Sequence, residues 1–255
     1  MTLGRTAFAL HRHDRYALGI TRRGVQAFRY RGTRRICLPG QLHLLHPDEL
    51  HDGAPADGDG FSYRIVYVAP ELVRDASATE RLPFVTDPVH GPRHAASRLW
   101  DVLIDLLRDI DEPISPLRAV DAAVGIADGL AVLADRSVVA PVHIDTAAVR
   151  RAKDYLVENA TVPTTAATLE RVAGIDRYKL VRHFKAAYGT PPDRFRLLRR
   201  LDLARAAIER GQPIALAAAA AGFADQSHLT RHFKRAFGAT PGQWRRLTQA
   251  ELLPR

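Results

Sequence analysis

A single cysteine, Cys37, stands among 255 residues. It cannot close an internal disulfide, excludes a zinc finger built on paired cysteines, and points to a reducing, cytoplasmic setting. Long apolar runs are also missing. No stretch approaches the roughly 18 residues of a transmembrane helix, and the opening MTLGRTAFALHRHDRY has no apolar run of signal-peptide length. Neither a P-loop nor a G-x-G-x-x-G fingerprint occurs, and no nucleophile triad stands out. What remains is 46% hydrophobic and 25% charged, so the chain is neither mainly disordered nor collagen-like. Its length suggests two domains.

Charge separates the two halves. Residues 1–144 carry 17 Lys and Arg against 18 Asp and Glu, a net −1; residues 145–255 carry 20 against 10, a net +10. An excess confined to one end suits a polyanion, either nucleic acid or an anionic membrane surface. It also suits a solvated basic face with no partner.

Residues 5–70 read as β. Candidate strands are Thr6–Leu10, Tyr16–Thr21, Val25–Tyr30, Gln41–Leu45 and Tyr63–Tyr67. Turns fall at Gly24, Gly32, Pro39-Gly40, Pro47 and the run Gly53–Gly60. This spacing favours a small barrel or sandwich. Beyond Pro70 the period becomes helical. Ala95–Asp111 aligns Leu99, Val102, Leu103, Leu106, Leu107 and Ile110, and Leu117–Asp135 is a second apolar helix. The two helices either close the first domain or form a dimer seam. Ser137–His143, with Pro141, reads as a linker, and Asp145 as the N-cap of a basic, helical remainder.

That remainder contains a repeat. VAGIDRYKLVRHFKAAYGTPPDRFR, from Val172, matches AAGFADQSHLTRHFKRAFGATPGQWRR, from Ala220. Ala173-Gly174 matches Ala221-Gly222 at an offset of 48; Leu180, Arg182, His183, Phe184, Lys185, Gly189 and Pro192 have partners at an offset of 49. Two copies are too few for a solenoid. Each copy has a short apolar helix, a glycine to end it, an apolar plug (Ile175 or Phe223) and an aspartate N-cap (Asp176 or Asp225). A second helix then buries Leu180, Phe184 and Tyr188, or Leu229, Phe233 and Phe237, four residues apart. Its other face is basic or amide-bearing, as a helix entering a major groove requires. Asp193–Arg210 reads as one helix joining the copies. Recognition helices one DNA turn apart need roughly 34 Å between them.

From Arg200-Leu201 through Ala204, Gly222-Phe223, Leu229, Phe233-Lys234 and Gly238 to Pro241, the chain resembles the AraC/XylS family of bacterial transcriptional regulators. With the preceding copy, the resemblance covers about residues 145–247. It implies two helix–turn–helix units on a linker helix, preceded by a cupin-like barrel that senses or dimerises. By position, the reading helices fall on 176–188 and 226–237. The resemblance places Arg177, Tyr178, Val181 and Arg182 near bases in the first, and Gln226, Ser227, Thr230 and Arg231 in the second. An arginine fork suits guanine O6/N7 and glutamine suits adenine. Lys185, Arg199, Lys234 and Arg245 are expected on phosphates or in solvent. His183 and His232 are expected to pack or cap. One departure is Leu216-Ala217 within LAAAAAG, where many family members carry Ile-Ala. Alanine preserves the helix but leaves a slim core.

The segments FALHRHDRYALGITRRGVQAFRYRG and LPGQLHLLHPDELHDG resemble the cupin-like sensor of the same family. His11 and His13 share a strand face, and His51 lies in the second segment. Three imidazoles can hold Zn²⁺, Fe²⁺ or Ni²⁺, or they line an effector pocket with Tyr16, Tyr63 and Arg64. The carboxylate of a cupin metal site is missing. Asp14 comes too soon, and Glu49 substitutes only if its loop allows.

The expected fold class is α+β, with a cupin-like β-barrel and two trailing helices (1–136), a linker (137–144) and an all-α double helix–turn–helix domain (145–247). The expected function is a cytoplasmic, sequence-specific transcription regulator, an activator by family resemblance, and not an enzyme. No cofactor is expected. Double-stranded DNA and a small-molecule effector are the expected partners, with RNA polymerase if the chain activates, a second copy as a homodimer, and no membrane. The alternatives are a metal-dependent cupin enzyme with a helical appendage and a nonspecific DNA-compacting protein.

Overall fold

Short runs of β-branched and aromatic residues, punctuated by glycine, build the first part of the chain. In order they are β1 (Thr2–Leu3), β2 (Phe8–His11), β3 (Tyr16–Arg23), β4 (Gln26–Tyr30), β5 (Thr33–Cys37), β6 (Leu42–Leu45), β7 (His51–Pro55), β8 (Phe61–Val68) and β9 (Val89–His90). In this computed structural model the described residues are 2–3, 7–56, 60–79, 82–91, 97–108, 110, 112–134 and 144–251. Two antiparallel sheets form, ordered β1-β8-β3-β6-β9 and β2-β7-β4-β5. Ala17, Leu45, Ile65 and Val89 of the first meet Phe28, Tyr30 and Cys37 of the second, so the core lies between the sheets. Central strand β3 is buried from Tyr16 through Thr21, whereas edge strand β5 leaves Arg34 exposed and Arg35 half-buried. Arg31 (φ 49) and Gly32 (φ 74) make the tight β4–β5 turn.

The expected strands form with shifted ends, and four strands were not anticipated: the two-residue β1 and β9, and β5 and β7. β5 reads as charged because one side is solvent. β7 contains Gly53 and Pro55, which read as a turn, but pairing with β2 and β4 overrides that local preference.

Three helices follow: α1 (Pro70–Ala76), α2 (Ser97–Arg108) and α3 (Pro116–Leu133). The apolar stripe of α2 is buried at Leu99, Leu103, Leu106 and Leu107, while Ile110, past the helix end, is exposed. Helix α2 packs on β3 and β8. Glycines bring α3 close to it. A Cβ on Gly125 would stand 2.6 Å from Val102, and one on Gly129 2.7 Å from Leu99.

The helical unit comprises α4 (Thr146–Glu158), α5 (Ala166–Ala173), α6 (Arg177–Tyr188), α7 (Pro192–Glu209), α8 (Ile214–Ala220), α9 (Gln226–Phe237) and α10 (Pro241–Glu251). Asp145 caps α4 through the Ala148 N–H, as its sequence position implies. Two compact units emerge, Met1–Ile114 with Ala119–Pro141 and Ser115–Arg118 with Val142–Arg255. Residues 137–143 of the expected linker lie outside the described residues.

Candidate nucleic-acid interface and effector site

The two helix–turn–helix turns are built from the same parts. Helix α5 ends at Gly174 (φ 72), and Asp176 accepts from the Tyr178 and Lys179 N–H groups at 2.9 and 3.1 Å. Helix α8 is followed by Gly222 (φ 76), and Asp225 accepts from the His228 N–H at 2.7 Å. A residue at these glycines must adopt a left-handed backbone, which other side chains resist. Behind the turns, Leu180 and Phe184 on α6 and Leu229 and Phe233 on α9 are at most 1% exposed. Tyr188, expected inside, is 39% exposed at the last turn and packs edge-on against Phe184. In the LAAAAAG helix, Ala217 and Ala218 fill the core while Leu216 is exposed, so the substituted leucine contributes nothing to packing.

Two arginines missed in the sequence brace these turns. Arg151 on α4 donates to the Val172 and Ala173 carbonyls at the end of α5. Arg200 on α7 donates to the Ala221 and Gly222 carbonyls after α8 and stacks over Phe223 at 4.2 Å. Carbonyls at a helix end have no partner within the helix, and a guanidinium fork satisfies two at once. The Arg150-Arg151 and Arg199-Arg200 doublets lie 49 residues apart, so the repeat begins earlier than its RHFK core suggests.

On α9, Gln226, Ser227 and Arg231 are exposed and Thr230 is half-buried. On α6, Tyr178 and Arg182 are half-buried. Val181 corrects the expectation: at 3% exposure its side chain is committed to the core and has no surface to offer a base. Arg177 is held by Glu170, through Nε at 3.0 Å and Nη2 at 2.6 Å. Lys185, Arg199 and Lys234 are exposed and Arg245 is half-buried. His183 is buried and accepts the Asp145 N–H at 3.1 Å, a capping role. His232 packs against His228, with ring centroids 4.8 Å apart.

The six expected pocket residues do not converge. His11, His13 and His51 meet at one end of the barrel, with centroids 4.4 Å (11–51), 4.7 Å (13–51) and 6.3 Å (11–13) apart. Tyr67, unanticipated, joins at 5.2 Å from His13. Each Nδ1 donates to a backbone carbonyl two residues away, on Ala9, Arg15 and Glu49 respectively. The lone pairs therefore sit on Nε2. Burial, with His11 and His13 adding repulsion, lowers the His51 pKa.

Tyr16 is buried elsewhere, donating to the Pro83 carbonyl beside His46. Tyr63 lies deep between the sheets beside His43 and Phe61. Arg64 is on the outer face and donates to the carbonyls ending α2. Strand alternation explains the split, since Tyr63 points inward and its neighbour Arg64 points out.

The cupin metal set does not fit. Glu49, its one possible carboxylate, binds Arg31 through both oxygens at 2.8 and 2.9 Å. Asp14 is exposed. The donor nitrogens of His11, His13 and His51 do not all approach within 4.8 Å of one another.

A second polar network was invisible in the sequence. The Val85 N–H donates to His46 Nε2 at 3.1 Å, so the His46 proton is on Nδ1, facing the Tyr30 oxygen at 3.0 Å. Although burial opposes it, Arg31 and Tyr30 hold the Glu49 carboxyl below its usual range. Arg31 also donates to the Val85 and Thr86 carbonyls. The acceptors of Arg31 lie 18–55 positions away in sequence.

Comparison with known proteins agrees with both halves. The AraC-like ligand binding domain family matches residues 4–123, and a helix-turn-helix domain family matches residues 169–247. The uncharacterized HTH-type transcriptional regulator YbfI of Bacillus subtilis is 27% identical over 226 residues, covering 87% of this chain and 81% of that protein. An AraC-type transcriptional regulator structure from Chromobacterium violaceum is 25% identical, covering 40% of this chain and 91% of that one, with a TM-score of 0.38. ToxT from Vibrio cholerae is 11% identical, covering 97% and 96%, with a TM-score of 0.39. With a ligand-binding domain in its first half and a helix-turn-helix domain in its second, the chain belongs to the AraC/XylS family of DNA-binding transcription regulators.

Proposed function

We propose that the chain is a cytoplasmic, effector-responsive activator that reads two successive major-groove segments with α6 and α9. One observation carries this reading. Two helices in a basic unit share the same cap, the same buried Leu–Phe pair and the same arginine-braced turn, and each turns polar side chains outward. Residues 1–136 serve as sensor and 145–247 as DNA-binding domain, joined by 137–144. The base contacts are Arg177, Tyr178, Arg182, Gln226, Ser227, Thr230 and Arg231, with Lys185, Arg199, Lys234 and Arg245 on phosphates.

The effector contacts the barrel end at His11, His13, His51 and Tyr67. It acts by binding one arrangement of the protein more tightly than another. RNA polymerase and a second copy of the chain are the remaining partners in this reading.

Selection from random-sequence DNA at physiological salt tests it. The expected result is enrichment of two short motifs about one helical turn apart. Binding without enrichment, with and without metabolite pools, would instead identify a nonspecific binder.

A further inference from the structure

Glu170 is an acid on a surface whose charge is otherwise suited to a polyanion. Residues 145–255 hold only 10 acidic side chains against 20 basic ones. Beside the first reading helix a carboxylate repels phosphate, so its presence there calls for a compensating role. Its geometry supplies one. Oε2 of Glu170, on α5, accepts from both Nε and Nη2 of Arg177, the first residue of α6. That contact occupies one edge of the guanidinium. The other edge, formed by Nη1 and the second Nη2 hydrogen, stays open, and the Arg177 side chain is 39% exposed.

An open arginine edge with two parallel N–H groups is the donor pattern that matches guanine O6 and N7. A long arginine otherwise loses rotamer freedom on binding. One that is already held loses less, and its two donors arrive aligned.

The internal repeat provides the contrast. Before the turn the copies are offset by 48, so the counterpart of Glu170 is Ala218, which is fully buried. After the turn the offset is 49, so the counterpart of Arg177 is Gln226. Acid and arginine occur together in the first copy and are both absent from the second. The shared scaffold therefore does not require the pair.

We propose that Glu170 is a positioning residue for base recognition, holding Arg177 at the start of α6 so that its free edge reads a guanine. This rests on the assignment of α6 as a reading helix.

The test uses the full chain and the site selected by the wild-type protein, with every base at each position of the first motif compared at several salt concentrations. Glu170→Ala should weaken the preference for guanine at the Arg177 position about tenfold, within the range of one bidentate base contact. Binding to unrelated DNA should stay equal or tighten, because a negative charge has been removed. Arg177→Ala should abolish the same preference, and adding Glu170→Ala to it should change nothing further. Glu170→Gln, which keeps one acceptor oxygen, should lose less than Glu170→Ala.

If Glu170→Ala lowers specific and unrelated binding equally, together with the melting temperature, Glu170 is a brace and the proposal is overturned. It is also overturned if Arg177→Ala removes the preference while Glu170→Ala leaves it intact. If Arg177→Ala changes no base preference, the reading role of Arg177 fails and the proposal falls with it. A wild-type protein that selects no motif would instead overturn the reading of α6 itself.

Discussion

Arg200 plays the part in the second half of the helical unit that Arg151 plays in the first, each fastening its guanidinium to two successive carbonyls where the chain turns toward α9 or α6. The brace fixes the angle at which α6 or α9 leaves the turn, and that angle decides which side chains point outward. Arg200 is the more deeply committed of the two. Burial, with Arg196 alongside, brings its pKa down to about 10, and it lies over the Phe223 ring.

Arg200→Ala therefore removes two charge-assisted hydrogen bonds and a cation–π contact, at a cost of about 2–4 kcal/mol in the helical unit. Arg151→Ala, at a more exposed site, costs about half that. Arg200→Lys should not restore stability, since one ammonium cannot span two carbonyls as a planar fork does. Urea denaturation followed by circular dichroism checks the order. Equal midpoints for Arg200→Ala and wild type would remove the brace from the account.

Arg231 and Lys234 share the exposed face of α9, yet their substitutions should separate. Arg231→Ala should relax base preference at one position of the selected site by about 1–3 kcal/mol. Lys234→Ala should weaken binding to every sequence and make the salt dependence shallower by about one phosphate. Fluorescence anisotropy across a salt series on matched and mismatched duplexes distinguishes them. If Arg231→Ala kept the full preference, the arginine would be a phosphate contact.

In the barrel, Gly19 and His43 occupy space that only one side chain can fill. A Cβ on Gly19 would stand 2.2 Å from the buried His43 ring. Gly19→Ala should destabilise the sensor by about 1–3 kcal/mol through overpacking. His43→Ala in the same chain should recover part of that loss, because the two substitutions share one volume. Purely additive losses in thermal denaturation would show that the strand, not the ring, resists the methyl group.

How much of this was legible in the sequence follows from how far apart the partners lie. The double helix–turn–helix was readable because its signals are local: glycine, aspartate and the apolar pair all fall within some 15 residues and recur. Strand alternation puts the histidines at 11 and 13 on one face, but β2 ends at His11, so His13 reaches His11 and His51 from beyond the strand. The set of Tyr16, Tyr63 and Arg64 failed because chemistry alone nominated it, while alternation along β8 sends Arg64 to the opposite face from Tyr63. Val181 failed because a motif position was carried over without asking which side of α6 faces the core. The network of Arg31, His46, Glu49 and Val85 had no sequence signal, since tertiary folding alone brings those residues together.

Acid should destabilise the sensor before most carboxylates titrate. Burial, with His51 nearby, lowers the His43 pKa to about 4, and burial, with Arg31 nearby, does the same to His46. Both are neutral in the folded chain and titrate near 6.5 when it unfolds. Their contribution is thus complete above pH 6.5 and is lost as pH falls toward 4, where the unfolded state binds more protons. Each histidine contributes on the order of 2–3 kcal/mol across that window. Urea midpoints should fall between pH 7 and pH 4.5, and His43→Gln should flatten the slope. A midpoint that stays level over this interval would contradict the neutral assignment.

The two halves of the helical unit meet at a contact that no motif encodes. Gly222 has φ 76, and a Cβ there would come within 2.6 Å of the Thr161 carbonyl, in the loop after α4. Arg196, on α7, donates to the next carbonyl of that loop, Val162, at 2.7 Å. The second half is thus seated on the first at residues 161–162. Gly222→Ala carries both left-handed backbone strain and a clash with fixed backbone. Gly189, also left-handed at φ 70, has nothing within 4 Å of its Cβ position, so Gly189→Ala carries the strain alone, about 1–2 kcal/mol. Gly222→Ala should therefore cost more than Gly189→Ala. It should also broaden the tolerated distance between the two half-motifs, because the seat that sets it has been forced open. Binding measured on duplexes with one base pair inserted or removed between the motifs gives the answer. Equal losses for the two glycine variants, with the spacing preference intact in both, would mean that α7 alone sets the distance.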